Sequence, residues 1–308
     1  SARGEVRDFA ATSLAQRANL FALFAGCADP VGALAELAPA KRTRGAPAFD
    51  VDAAADLLMG WCAARPLWNP DTQIRLAGTW RGAGGQPVAH SGEALHHPGG
   101  LTDPAGEVVD GAVYAAGHPR PAPADTPADI DETRALATEL EQLWAWPRRE
   151  DAQALIGWLG QAALGAYPEW RAHLYLTGAK GCGKSTVLRV IDSALGGMSA
   201  GVFDAATEGG VRQTTNRMAL ARLFDEAEAA TGDRGAVEAV IALLRRMSGR
   251  DGAHIVKGTA DHSGVTFRLH GAGMLASIIP AGMTPADRSR FVMLRLAPRA
   301  PGDPVDDA

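Results

Sequence analysis

Eight consecutive residues, Gly178-Ala179-Lys180-Gly181-Cys182-Gly183-Lys184-Ser185, combine three glycines, a lysine and a hydroxyl in the pattern G-x-x-x-x-G-K-[ST]. That combination suits the cradling of a phosphate chain. Gly178, Gly181 and Gly183 let the backbone turn several N–H groups onto one anion. Lys184 is placed to reach the β- and γ-phosphates of a nucleotide, and the Ser185 hydroxyl to ligate Mg²⁺. The expected cofactors are therefore ATP and Mg²⁺. Lys180, Cys182 and Thr186 complete the segment expected to wrap the nucleotide.

Four downstream segments extend this chemistry. Met218-Ala219-Leu220-Ala221-Arg222-Leu223-Phe224 is an apolar stretch ending in Asp225-Glu226. Asp225 is the expected partner of Ser185 on the metal, and Glu226 the group that orients and polarises the attacking water. Met274-Leu275-Ala276-Ser277-Ile278-Ile279-Pro280 reads as a buried strand stopped by proline. Ser277 there is either a polar sensor of the γ-phosphate, shorter in reach than an amide, or an incidental core serine. Asp287-Arg288-Ser289-Arg290 precedes the strand-like Phe291–Leu296. An arginine at such a place can stabilise charge on a phosphoryl group held by a neighbouring subunit, with Arg290 the first choice and Arg288 the second. Finally, residues 248–269 read as a hairpin. Val265, Phe267 and Leu269 alternate, and glycine-containing turns bracket Lys257 and His262. Lys257, His254 and His262 are the expected nucleic-acid contacts. His254, His262 and His270 do not have zinc-ligand spacing.

These residues need elements to hold them. Leu174-Tyr175-Leu176 before the glycine-rich loop is short and apolar, as a buried strand is. Thr186 to Leu195 repeats apolar residues at helical spacing. The loop thus falls at a strand-to-helix turn, the context that supports it. Residues 5–65 read as helical, with Asp50 capping a helix over Val51–Ala64. Residues 72–117 carry a hairpin pattern around Gly82, Gly84 and Gly85, then a short strand pair at Val108-Val109 and Ala112-Val113-Tyr114. Residues 1–118 are therefore expected to be an α+β module. The proline-dense 119–130 forms a stiff linker. Two amphipathic helices over 131–170 suggest a helical collar. The phosphate-binding core follows at 171–300, with a tail at 301–308.

With 46% apolar residues the 308-residue chain can fill globular cores, and it has no long uncharged apolar run for a membrane span. Three scattered cysteines exclude a disulfide framework and suit a cytoplasmic protein. The chain opens Ser-Ala-Arg-Gly without a methionine, so it reads as a piece of something longer. Net charge is −5, yet residues 241–300 hold nine Arg or Lys against three acids. That segment is basic within an acidic protein, as a local anion-binding surface is.

From Gly178–Thr186 through Phe224-Asp225-Glu226, then Met247-Ser248-Gly249-Arg250-Asp251 with Lys257, to Ser289-Arg290-Phe291, the chain resembles the superfamily 3 helicases of the AAA+ class. The likeness is closest to phage, plasmid and poxvirus primase-helicases. It covers roughly residues 130–300, and residues 1–118 show no primase motif. The resemblance implies an α/β AAA+ P-loop NTPase core with a central parallel sheet. It implies a homo-oligomer, a hexameric ring, that hydrolyses ATP between subunits and moves single-stranded or forked DNA, with a primase domain or partner nearby. The family's sensor strand ends in Asn where this chain offers Ser277. An AAA+ protein remodeller and a nucleotide-dependent switch or defence ATPase are the alternatives. A remodeller's pore loop carries an exposed aromatic, where this chain has Lys and His.

Overall fold

The computed structural model describes residues 11–24, 26–40, 49–64, 73–106, 108–109, 111–124, 126–204, 206–225, 234–258, 264–280 and 282–298. Glu226, His262 and the tail 301–308 lie outside these. The chain forms two compact units, one within 1–75, 92–94 and 104–118, the other within 76–91, 95–103 and 119–308.

The first unit begins with α1 (Ala11–Leu14), α2 (Arg17–Leu23), α3 (Pro30–Leu37) and α4 (Val51–Ala63). Asp50 caps α4 as its sequence suggests, accepting from the Asp52 and Ala53 amides at 3.1 and 3.0 Å. Leu20, Leu34, Phe49 and Ala54 make a small core. Seven short strands follow: β1 (Gln73–Arg75), β2 (Gly78–Arg81), β3 (Pro87–His90), β4 (Ala94–His96), β5 (Thr102–Pro104), β6 (Val108–Val109) and β7 (Ala112–Tyr114). β1, β7 and β6 make a three-stranded sheet in the first unit. β2 and β3 form the expected hairpin, and the sheet continues to β4 and β5. Apart from the end residues Ala94 and Pro104, this second sheet belongs to the second unit.

The rest of the second unit runs α5 (Ile130–Leu143), α6 (Arg149–Ala163), β8 (His173–Gly178), α7 (Lys184–Leu195), β9 (Ser199–Phe203), α8 (Glu208–Thr214), β10 (Ala221–Phe224), α9 (Arg234–Met247), β11 (Ala253–Gly258), β12 (Gly264–Leu269), β13 (Gly273–Ser277), α10 (Pro285–Arg288) and β14 (Phe291–Leu296). α5 starts on a capping box between Asp129 and Glu132. α5 and α6, expected as a collar, bury Leu140, Leu155, Trp158 and Ala162 in the layer over the sheet. In the expected linker, the Arg120 guanidinium donates to the Ser199 carbonyl at 2.7 Å.

Five strands form one parallel sheet in the order β14-β8-β13-β10-β9. Alternation along each strand fills two layers. Leu174, Leu176, Met274, Ala276, Ala221 and Leu223 face the core shared with α6 and α7. Tyr175, Leu275 and Phe224 face α9 and the β11–β12 hairpin. α7 follows β8 and leads to strands on one side of it, while the connection through α10 returns to β14 on the other. The carboxyl ends of β8 and β13 therefore flank a topological switch point, where parallel α/β sheets open a ligand crevice.

Candidate functional site

The glycine-rich loop leaves the carboxyl end of β8 at that switch point and enters α7 at Lys184. Gly183 is the N-cap of α7 with φ 91°, and Gly181 has φ 78°. L side chains rarely adopt such angles. Gly178 is required by proximity instead. A Cβ there would lie 2.7 Å from Cys182 Sγ and 2.9 Å from the Leu296 carbonyl oxygen. Cys182 is buried, so its side chain packs beneath the loop while its neighbours stay open. The Lys184 ammonium donates to the Gly178 and Ala179 carbonyls, both at 3.0 Å, and lies folded over the loop. Ser185 and Thr186 sit in the first turn of a twelve-residue helix whose amide dipoles favour an anion. These features fit a phosphate group, and Lys180 stands exposed at the loop's edge.

Asp225 directly follows β10, with its amide donating to the Phe203 carbonyl at 3.0 Å. Only β13 lies between β8 and β10, and the strands are parallel. Two strand spacings put the loop and Asp225 about 10 Å apart at the same edge of the sheet. Ser185 and Asp225 therefore lie toward the same edge of the sheet. Ser277 is the last residue of the intervening strand, opposite Thr177 of β8. Its place is the one a phosphate sensor would occupy, but Ser277 is 1% exposed. Its hydroxyl donates to the Ile279 carbonyl at 2.8 Å and lies 3.2 Å from the Tyr175 hydroxyl.

The structure does not bring the arginines to this edge. Arg290 precedes β14, which runs parallel to β8 with Phe291 opposite His173. It therefore sits at the amino-end edge of the sheet, about 20 Å along β8 from the phosphate loop. Its guanidinium stacks on Trp170, 4.8 Å from the ring centroid, and bonds Ser289 Oγ. Arg288 ends the one-turn α10 and is exposed. Beside it, Asp287 is held below the usual carboxylate range. Burial pushes its pKa up, but hydrogen bonds from Thr284 and the charge of Arg245, 2.9 Å away, outweigh that.

The hairpin β11–β12 forms where expected, with Lys257 opposite Val265 and His254 opposite Arg268. Opposed residues share a face, and residues three apart do not. His254 and Lys257 are therefore on opposite faces of the hairpin. Lys257 continues the row of Ala253 and Ile255 beyond the core and is exposed near the tip. His254 shares its face with Val256, Thr266 and Arg268. Arg268 is the basic residue opposed to His254 on that face, and period-two pairing about the predicted tip would have found it. Trp170, 51% exposed, had as its only sequence signal an aromatic just ahead of β8.

No protein-family model matches the chain, and no curated protein matches it. Among solved structures, it is similar to the crystal structure of JCV helicase with a bound thiazolopyridine-phenoxyphenyl acetamide. The identity is 12% and the TM-score 0.34, covering 58% of this chain and 48% of that one. The chain thus spans about half the length of that structure. A mixed α/β architecture with a five-stranded parallel sheet, compatible with a P-loop NTPase core, rests on the chain's own geometry. No helix among the described residues is long and apolar enough to cross a membrane.

Proposed function

We propose that the chain is an ATP-dependent DNA helicase or translocase of a mobile-element replication system, working as a ring, hexameric by resemblance. The observation that supports this most is the shared edge of Lys184, Ser185 and Asp225, set against Arg290 at the opposite edge. Lys184 turns from its loop carbonyls to the triphosphate and holds the γ-phosphoryl group. Bound Mg²⁺, ligated by Ser185 and Asp225, would neutralise charge on the phosphate oxygens. Glu226 takes the water proton as the nucleophile attacks. Arg290, too far to serve its own loop, completes the site of a neighbouring copy.

Two features support nucleic acid as the cargo. The hairpin bears Lys257 near its tip and His254 with Arg268 on its outer face. It also lies within the basic segment of an acidic chain, the arrangement that concentrates phosphate in a channel while the outside stays soluble. ATP-dependent displacement of one strand from a forked DNA is the direct test. The wild-type chain should displace it and Lys184→Ala should not. A Lys184→Ala variant that still binds ATP tightly or still unwinds would remove the phosphate-loop assignment.

A further inference from the structure

The hairpin joins the sheet through the amino end of β13, whereas the phosphate loop leaves the carboxyl end of β8. Nucleotide and hairpin thus belong to opposite edges, and any coupling must travel through packed strands and their contacts. Two buried arginines occupy the junctions. Arg171, just ahead of β8, is 0% exposed. Its guanidinium donates to the Met247 carbonyl at 3.1 and 2.9 Å, to the Pro168 carbonyl at 2.7 Å, and to the Gly249 carbonyl. Met247 and Gly249 form the root of β11. The same root is bridged to the chain ahead of β8 by Trp170 with Gly249 and by the Arg171 amide on the Ser248 carbonyl.

Arg222 lies within β10, three residues before Asp225, and is also 0% exposed. It donates to the His270 carbonyl at 2.6 Å and the Leu220 carbonyl at 2.8 Å. Thr215 accepts through Oγ1 at 2.9 Å and through its carbonyl at 3.3 Å. His270 is the root of β12, and Ala219 bridges it as well. Each leg of the hairpin is thus forked to one strand. One strand carries the phosphate loop and the other carries Asp225.

Packing alone does not explain these side chains. A guanidinium buried among carbonyls is costly to desolvate, and an aliphatic residue would fill the volume more cheaply. Burial lowers the pKa of Arg171 to about 10, with Asp251 opposing, and that of Arg222 to about 9, so both stay charged at neutral pH. What arginine adds is a rigid planar fork that holds two segments in fixed relation. We propose that Arg171 and Arg222 are positioning residues that transmit changes at the phosphate edge of β8 and β10 to the two roots of the hairpin. This inference rests on the proposed DNA-stimulated ATPase.

Arg171→Lys and Arg222→Lys keep the charge and lose the fork. ATPase rates are measured with and without single-stranded DNA, alongside DNA affinity. In each variant the stimulation ratio should fall about fivefold or more while basal rate and affinity stay within about twofold of wild type. Stimulation retained in both variants overturns the inference, as does a parallel loss of basal rate, affinity and stimulation, which marks a structural role. On the wild-type chain, amide hydrogen exchange at residues 248–252 and 270–273 should change when a non-hydrolysable ATP analogue binds. Indifference at both roots overturns the coupling even if the variants fail to fold. Wild-type hydrolysis that ignores DNA fails the underlying reading instead, and that control identifies it.

Discussion

His173 shows how far a single residue is committed to structure even when its type suggests catalysis. It opens β8 at the edge away from the phosphate loop and is fully buried. Nδ1 accepts from the Gly273 amide at 3.0 Å, which leaves Nε2, 3.0 Å from Ser248 Oγ, to carry the proton. Burial first, and then the charges of Arg171 and Arg222, press its pKa from 6.5 to about 3 against an opposing backbone hydrogen bond. The folded state therefore refuses a proton that the unfolded state accepts. The contribution to stability is intact above pH 6.5 and is lost as pH falls from there toward about 3. The slope approaches about 1.4 kcal/mol per pH unit once the unfolded histidine is charged. Urea unfolding at pH 7.5 and pH 5.5 tests this. The wild-type chain should lose more stability between the two than His173→Gln, by about 1 kcal/mol. Equal losses would show that His173 is protonated in the folded protein.

At the scale of elements, the hairpin carries the sharpest expectation. Lys257 is exposed near the tip, and neutralising a phosphate with it releases counterions. Lys257→Ala should weaken single-stranded DNA binding and reduce the slope of log affinity against log salt by about 1. An unchanged slope would place Lys257 off the DNA path. Local pattern made several elements legible. The apolar triplet of β8, the loop and the helical spacing of α7 are contiguous in sequence, and so are the two legs of the hairpin around its glycine turns. The strand register, rather than the sequence reading, put Lys257 and His254 on opposite faces. Other elements gave little signal. β9 is Ser-Ala-Gly-Val-Phe, with Gly201 at φ 92° and an irregular register, and its half-buried residues show neither a full apolar run nor clean alternation. β10 is shorter than the apolar stretch around it, because Ala219 and Leu220 are drawn into bridges and carbonyl contacts at the hairpin root. The order of the strands, and with it the position of Arg290, depends on pairings between distant segments that no local pattern encodes.

The whole molecule sets two chemistries at opposite ends of one sheet. The residues of the proposed phosphate site, Lys184, Ser185 and Asp225, gather at the carboxyl ends of β8 and β10. The hairpin roots, Trp170 and Arg290 gather at the amino ends. For a motor this division has a physical use. In the proposed motor, hydrolysis would be sheltered at one edge, while an arginine at the other would reach a second copy and a basic hairpin would reach the polymer. Such a machine turns over faster when its track is present, and electrostatic engagement of that track weakens with salt. Steady-state ATP hydrolysis should therefore be measured with and without single-stranded DNA at low and at moderate salt. Hydrolysis that DNA stimulates strongly, with the stimulation fading as salt rises, is the expected result. Robust hydrolysis that ignores DNA at both salt concentrations would contradict the DNA motor and leave a nucleotide-driven device with a different cargo.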